Sequence, residues 1–559
     1  MKRKKVTRVK AGIMAGALLC SALVGCGNAS EDKTTTKEST ANSVESTVAA
    51  EESKSASTNS NLNETGLPIL NEKETFTIAV MEMSPIKAAA EKQCVIDTEK
   101  ATNVHIEWIE IPQSGWTEKI NIMFSTDGLP DAIIGSVDMA KYYDQFVALD
   151  DYMATYAPVT NAYFETRDDY PGGILAIDGK LHCLPAGDEV VKNMLDAQYW
   201  INTGWLEKLN LKMPTTTEEL REVLIAFRDN DPNGNGQKDE IPFTFKDAWG
   251  WANSIKNLFG PFGVVENGSH VFTKDGKVTF SAGEKGYYDA LAWMHELYAE
   301  GLIDQEAFTL SDDMYSSRGA VGDVIGVMAG YNAVACGNDN GDGSLYQPLP
   351  ALKGPDGTQM VGMNSLTRDG GFAISKKCKN PEALIRWYDY INSSMEIAAE
   401  WGRGPRGVMW DVAEVDGVEV PKLLTVTPEV LAANGGYKTQ QEFRNAESFS
   451  GQSPTLWRKE YAENAVYDEN AKYDYKLNSV IEQQQYGVQS LPVGSATAEN
   501  SDRRKILIAD IDNYLEKFIA DSIINGIDDA KWSEHLENLK KLKVDEYTSL
   551  CQEFVDSLK

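Results

Sequence analysis

The chain has 559 residues, too many for one hydrophobic core, so two or more domains are expected. Its 84 acidic side chains outnumber 53 basic ones and leave a formal charge of −31, which repels phosphate backbones and excludes a surface that grips nucleic acid. Hydrophobic residues make up 42 %, enough for well-packed cores, and none of the seven cysteines has the CxxC spacing of a zinc ribbon or redox motif.

The first 26 residues read as an export signal. Lys2, Arg3, Lys4, Lys5, Arg8 and Lys10 precede an apolar run over 11–24 that is too short to span a bilayer. It ends in Leu23-Val24-Gly25-Cys26, similar to a bacterial lipobox, which implies cleavage before Cys26 and lipidation of its thiol. More than one acyl chain on one residue anchors stably. Residues 27–69 are Ser, Thr, Asn, Glu and Lys with few large apolar side chains, so a disordered tether is expected. As a flexible coil it reaches roughly 35 Å.

The folded body opens with a strand at 75–80 that leads to Glu82, then a helix over 86–102 and a strand over 104–109. An amphipathic helix around 116–124 and a short buried strand at 132–134 follow. Such alternation predicts an α/β sheet with crossovers. Residues 190–199 read as extended, and a helix begins near 203 with Trp205, Leu206 and Leu209. The next opens at Pro214-Thr215-Thr216-Thr217, a threonine cap with Glu218 and Glu219 in the first turn, and runs over 220–227.

That helix leads into the most specific stretch of the chain. Side-chain oxygens fall at Asp231, Asn233, Asn235 and Asp239, which are positions 1, 3, 5 and 9 of a calcium loop. Gly236 stands at position 6, where the turn is sharp, and Gln237 at position 7, which gives a backbone carbonyl. Position 12 is Pro242, so Glu240 at position 10 is the nearest carboxylate to complete the shell, from a strand-like exit. The competing reading is a solvated run of Asx turns. A Ca2+ ion here pins a loop and leaves no open face for catalysis.

Further on, a hairpin over 271–280 turns at Asp275-Gly276. Leu291, Met294, Leu297 and Tyr298 mark a helix closed by Gly301, and strands are expected at 324–328 and 371–374. Pro381 to Ile391 is an amphipathic helix, and the chain from about 502 to 558 is mostly helical.

The run Trp205-Leu206-Glu207-Lys208-Leu209-Asn210-Leu211, the Pro214-Thr215-Thr216 helix start and the 231–240 loop resemble the family 1 extracellular solute-binding proteins. They are most similar to the lipoprotein branch serving oligosaccharide importers of the ATP-binding-cassette (ABC) class. Leu297 through Asp304 and Trp532 through Leu542 fit the same branch, and the likeness extends from about residue 70 to the C-terminus. It implies a two-lobed periplasmic-binding-protein-like α/β fold of class II type, hinged between lobes, with a helical C-terminal region. The chain would cross near 184–197 and return near 369–374. Lobe one would be 70–190 plus about 370–425, and lobe two 191–368 plus about 426–559. Relatives that bind alginate oligosaccharides carry a calcium loop at this place with glutamate tenth, which assigns Asp231, Asn233, Asn235, Gln237 (backbone), Asp239 and Glu240 to the ion.

A sugar presents apolar C–H faces and a rim of hydroxyls, so its site needs aromatic plates and a few placed polar groups. Trp249, Trp251, Tyr331, Trp401 and Trp410 stand in glycine-rich settings after strands and are the candidates, against a competing role in packing. Trp205, Trp293, Trp387 and Trp532 have helical spacing and are expected in cores. Arg403 and Arg406, in a Gly/Pro loop, suit bidentate binding of carboxylates and would point to a uronic-acid or other anionic oligosaccharide, unless they pair with acidic neighbours. Glu82 could accept from sugar hydroxyls. The expected function is a lipid-anchored, monomeric, extracellular binding protein that is no enzyme and delivers an oligosaccharide to an ABC permease. The first alternative is an exported calcium-dependent glycoside hydrolase or polysaccharide lyase, although no GxSxG, HExxH or Cys/His signature is present. The second is a surface adhesion or sensor component.

Overall fold

Strand Glu74–Glu82 pairs in parallel along its whole length with Val104–Pro112, from Glu74↔Val104 to Glu82↔Pro112. These and the other contacts come from a computed structural model. It describes residues 60–558 apart from 127, 136, 168–174, 196, 247–253, 319–322, 332, 334–344, 365–370, 468–474, 493 and 495. The leader with Cys26, and Trp249 and Trp251, lie outside the described residues.

On its other side the first strand runs parallel to Ala132–Ile134, with Ile78 opposite Ala132. Phe372–Ile374 returns from far along the chain to close that edge antiparallel, Phe372 opposite Ile134. Phe76, Ile78 and Val80 enter one core and Ala79 another, because side chains alternate across a sheet covered on both faces. Helix Gln93–Thr102 ends at Asn103 with φ 60°, a left-handed cap that asparagine tolerates, and the chain turns straight into the second strand.

A second four-stranded sheet has the order Tyr346–Pro348, Tyr199–Asn202, Ile325–Ala329, Ile241–Thr244. Its last pair is parallel, with Phe243 opposite Val327, and the others are antiparallel. Helix Thr217–Asp229 starts on the expected cap, the Thr216 hydroxyl accepting from Glu219 N–H at 3.1 Å. It packs hard against this sheet: a Cβ at Gly326 would lie 2.4 Å from the Phe227 ring. The core behind it joins Trp205, Phe227, Phe243 and Leu291 to Leu515, Ile519 and Cys551. The C-terminal helices Ala498–Asn525, Asp529–Lys541 and Val544–Ser557 therefore belong with the second sheet.

Two segments run between the halves and are hydrogen-bonded to each other at two places. Leu184 pairs antiparallel with Phe372, and eleven residues on Leu195 pairs antiparallel with Met363. Gly371 N–H and Phe372 N–H both donate to Leu184 O, at 2.8 and 3.0 Å, and Asn364 N–H donates to Met194 O at 2.7 Å. A later passage lies beside them: Leu456–Trp457 is parallel to Gly187–Asp188, and Gly487–Gln489 is parallel to Val361–Met363. Before that passage, Phe449 and Leu456 pack in the core behind the first sheet, and Leu431, Phe443 and Trp457 in the neighbouring one with Met395 and Trp410. Cys94, Cys183, Cys378 and Cys551 are buried free thiols that pack as small apolar residues. Among the described residues no helix is long and apolar enough to cross a membrane.

Candidate functional site

The first crossing sorts its carboxylates by strand alternation. Glu189 points inward and is fully buried, accepting from the Tyr163 hydroxyl, from Arg167 Nη1 at 3.1 Å and from Lys459 N–H at 3.1 Å. The Arg458 guanidinium lies 4.5 Å from the Tyr163 ring centre. That network fixes the segment from which Asp188, the preceding residue, points the other way and stays partly exposed.

Around Asp188 a set of charged and aromatic groups assembles. The parallel pairing sets Trp457 beside Asp188 in register. Arg403 lies over the Trp457 ring at 4.6 Å and pairs with Asp188 at 3.1 Å. Arg444 comes from helix Gln440–Glu447 and donates through Nε and Nη2 to Gly402 O, at 3.0 and 2.7 Å. Burial, and then the neighbouring charge of Arg403, bring its guanidinium down to about 10, while Asp188 and Tyr331 act in the opposite sense. Tyr331 follows strand Ile325–Ala329 of the second sheet, and the Lys476 ammonium sits 3.2 Å from its ring centre. Asp188, Arg403, Arg444 and Trp457 thus gather beside the first crossing, with Tyr331 of the other half, capped by Lys476, within electrostatic reach of Arg444.

Lys92 holds this arrangement from below. It is buried, and its Nζ donates to the carbonyls of Asn445, Ala446 and Ser448 at 2.7, 2.9 and 3.0 Å. The last turn of the Arg444 helix therefore has its open carbonyls satisfied by a cation. Burial lowers the lysine to about 8.

Of the residues proposed from sequence, Tyr331 and Arg403 come together here, and Asp188, Arg444, Trp457 and Lys476 join them unforeseen. Trp401 and Trp410 require correction. Trp401 is buried, stacked on Phe449 at 5.0 Å and edge-on to Trp387 at 5.4 Å, with its Nε1 donating to Thr98 Oγ1. Trp410 is buried with Met395 and Phe443, and its Nε1 donates to Gly404 O at 2.7 Å. Gly404 and Gly407, with φ of 112° and 78°, turn the chain so that this ring tucks inward. Both rings are core. Arg406 pairs with Asp411 at 2.8 Å on the surface. Glu82 ends the first strand opposite Pro112, partly exposed.

The 231–240 loop closes on its own backbone. Asp231 Oδ1 accepts from the N–H groups of Gly234 and Asn235 at 2.9 and 3.0 Å, and Oδ2 from Gly236 N–H at 2.8 Å. Asn233 and Asn235 both aim their amide groups at Asp239, at 3.0 and 3.1 Å from Oδ1. Gly234 and Gly236 take φ of 76° and 73°. Among the described residues no three His, Cys, Asp or Glu side chains gather into a metal-holding group. The loop's donors are instead a mixed set of carboxylates, amides and a carbonyl, the oxygen chemistry that suits a hard cation. Glu240 is the observation that fits one. Its Oε1 is buried without a hydrogen-bond partner, and burial first, then the charges of Asp239 and Asp231, push its pKa up.

Two α/β halves tied by paired crossings, with charged and aromatic side chains gathered near them, have the architecture of a hinged two-lobed protein. The chain belongs to the bacterial extracellular solute-binding protein family, which it matches over residues 80–396. The family inferred from the 205–242 run is thus the one found, and the hydrolase or lyase alternative falls with it. The chain is 30 % identical over 509 residues to the fructooligosaccharide ABC transporter substrate-binding protein FusA of Streptococcus pneumoniae, covering 87 % of this chain and 91 % of that one. The FusA structure in complex with kestose superposes with a TM-score of 0.70 at 28 % identity, over 86 % of this chain and 99 % of that one. An EF-hand mutant of FusA in complex with fructo-nystose gives 0.69 at 27 %, with the same coverage. The alginate-binding protein AlgQ2 without calcium ion shares the fold, with a TM-score of 0.65 at 20 % identity over 87 % of this chain and 98 % of that one.

Proposed function

We propose that this protein is the carbohydrate-capturing component of an ABC importer. Anchored through a lipid on Cys26 at the outer face of the cell membrane, it closes two lobes over an oligosaccharide and hands it, chemically intact, to the permease. It works as a monomer. The observation that carries this reading is the meeting of Asp188, Arg403, Arg444 and Trp457 of one half with Tyr331 and Lys476 of the other. Carboxylate and guanidinium groups bond sugar hydroxyls, and the rings cover C–H faces. Glu82 and, in the undescribed stretch, Trp249 and Trp251 extend the same site.

The packing supports lobe one as 70–190 plus about 370–467 and lobe two as 191–368 plus the C-terminal helices, which moves the second boundary beyond about 425. A neutral ligand is favoured over an anionic one: Arg403 and Arg406, the candidates for a sugar carboxylate, already pair with Asp188 and Asp411. The FusA relationship supports a fructooligosaccharide. Ca2+ is held structurally by Asp231, Asn233, Asn235, Gln237 O, Asp239 and Glu240, the asparagine amides turning their oxygens inward. Hinge closure on the sugar is what the permease reads.

Isothermal titration with kestose and with a galacturonate oligomer of matched length tests the reading. Saturable binding of kestose without product supports it. Tight binding of the uronate alone overturns the neutral assignment, and turnover of either overturns the binding role.

A further inference from the structure

The second half carries a groove away from the crossings. Edge strand Tyr346–Pro348, the turn over 353–359 and helix Tyr475–Gln483 with the turn after it enclose about 480 Å3. None of the groups that meet around Asp188 lines it.

Its walls are of one chemical kind. Gln347, Gln359, Asn478, Gln483 and Gln485 supply side-chain amides, and Tyr486 an aromatic ring. An amide offers donors and an acceptor at once, so a row of them matches vicinal hydroxyls, each of which also gives and takes. Lys353 and Glu482 bring one charge of each sign and select for neither. The volume lies within the ordinary range of small-molecule sites.

A second observation stands behind the floor. Pro350, Ala351 and Gln483 also line an inner chamber of about 20 Å3, whose far wall holds Gln198. Gln198 is 4 % exposed, and neither its Oε1 nor its Nε2 has a hydrogen-bond partner among the described residues. An unpaired buried amide is expensive, and a chamber of this size takes one water. A water held there would bridge Gln198 to Gln483. Gln198 comes three residues after Leu195, which is paired to the return crossing. The groove floor is thereby joined to the crossing strand by polar groups.

We propose that this groove is a second binding site, for a small neutral hydroxyl-rich solute of mono- or disaccharide size, separate from the oligosaccharide site at the crossings. Gln347, Gln359 and Gln485 hold the hydroxyls, Tyr486 covers an apolar face, and Gln483 relays occupancy to Gln198.

Hydrogen exchange on the full chain, with and without sucrose, reads both places at once. Amides in 347–359 and 478–486 are expected to slow severalfold with sucrose. The slowing should persist in Arg444→Ala, which alters the crossing site, and vanish in Gln347→Trp, which fills the groove. Should Gln347→Trp fail to fold, Gln485→Trp at an exposed position fills the same space. Slowing confined to 187–190 and 440–460 and lost in Arg444→Ala overturns the groove while leaving the crossing site standing. No slowing anywhere also overturns it. Slowing in the groove together with undiminished kestose binding by Arg444→Ala keeps the groove and removes the crossing assignment.

Discussion

The 231–240 loop and the 401–410 loop look alike on paper. Each is rich in glycine and polar residues, each follows a helix, and each offers side chains that could grasp a ligand. Their structures diverge. In the first, the side-chain oxygens of Asp231 and Asn235 turn on neighbours within a few residues: Asp231 to Gly234, Asn235 and Gly236, and Asn235 to Gln237. In the second, the rings stand at the two ends, Trp401 in the last turn of helix Met395–Gly402 and Trp410 opening strand Trp410–Val415, and turn to partners elsewhere in the chain: Trp401 to Thr98, Trp387 and Phe449, and Trp410 to Met395 and Phe443. A loop whose chemistry is local declares itself by spacing. A loop whose chemistry is distant does not.

Replacing Trp401 tests this distinction with the largest effect. If the ring is core, Trp401→Ala lowers unfolding free energy by about 3–5 kcal/mol in denaturant titration, as for other buried aromatics. Full stability with weakened sugar binding would restore it to the site and dissolve the contrast.

His270 joins both kinds of contact, with Glu266 four residues before it at 2.7 Å and Asp512 on the C-terminal helix at 2.8 Å. Although burial opposes its charge, the two carboxylates raise it to about 9. The folded state holds this proton more tightly than the unfolded one, so the stabilisation is complete below pH 6.5 and is lost as pH rises through 9. The slope over that window amounts to on the order of 3 kcal/mol and should flatten in His270→Gln, followed by urea midpoints. An unchanged slope would show that the long-range contact carries no charge.

The calcium loop gives the next effect. With Ca2+ at about a hundred times its dissociation constant, chelation should cost about 2.7 kcal/mol and lower the melting midpoint, and Asp231→Ala should abolish the difference. A midpoint indifferent to chelator would leave the loop as self-bonded Asx turns.

Arg444→Ala should weaken oligosaccharide binding by about 1.5–3 kcal/mol, the range for a hydrogen bond to a charged group, and change stability less. Arg406→Ala should alter affinity and stability by under about 0.5 kcal/mol, because its pair with Asp411 is half exposed. Equal losses at Arg444 and Arg406 would bring Arg406 into the site as well.

Legibility followed the same divide. The Thr216 cap, the 271–280 hairpin and the oxygen spacing at 231–240 are each encoded within a dozen or so residues, the strand–helix alternation of 75–134 is built from short segments of that kind, and each is readable. The Arg444 helix was not. Gln440–Glu447 is short and polar, and nothing local in it announces that Gly402 and Lys92 hold its arginine at the crossings. Asp188 was hidden for another reason: beside Glu189 it is one of many acidic residues, and only strand alternation and the pairing with Leu456–Trp457 separate the exposed carboxylate from the buried one.

The two tied crossings limit what the halves can do. Segments bonded at Leu184–Phe372 and again at Leu195–Met363 cannot slide past each other without breaking both ends. They can flex together about an axis across the pair, much as a doubled ribbon folds but does not shear. Bending is thus opposed by less than sliding is, and the angle between the halves is the coordinate on which a bound sugar has most leverage.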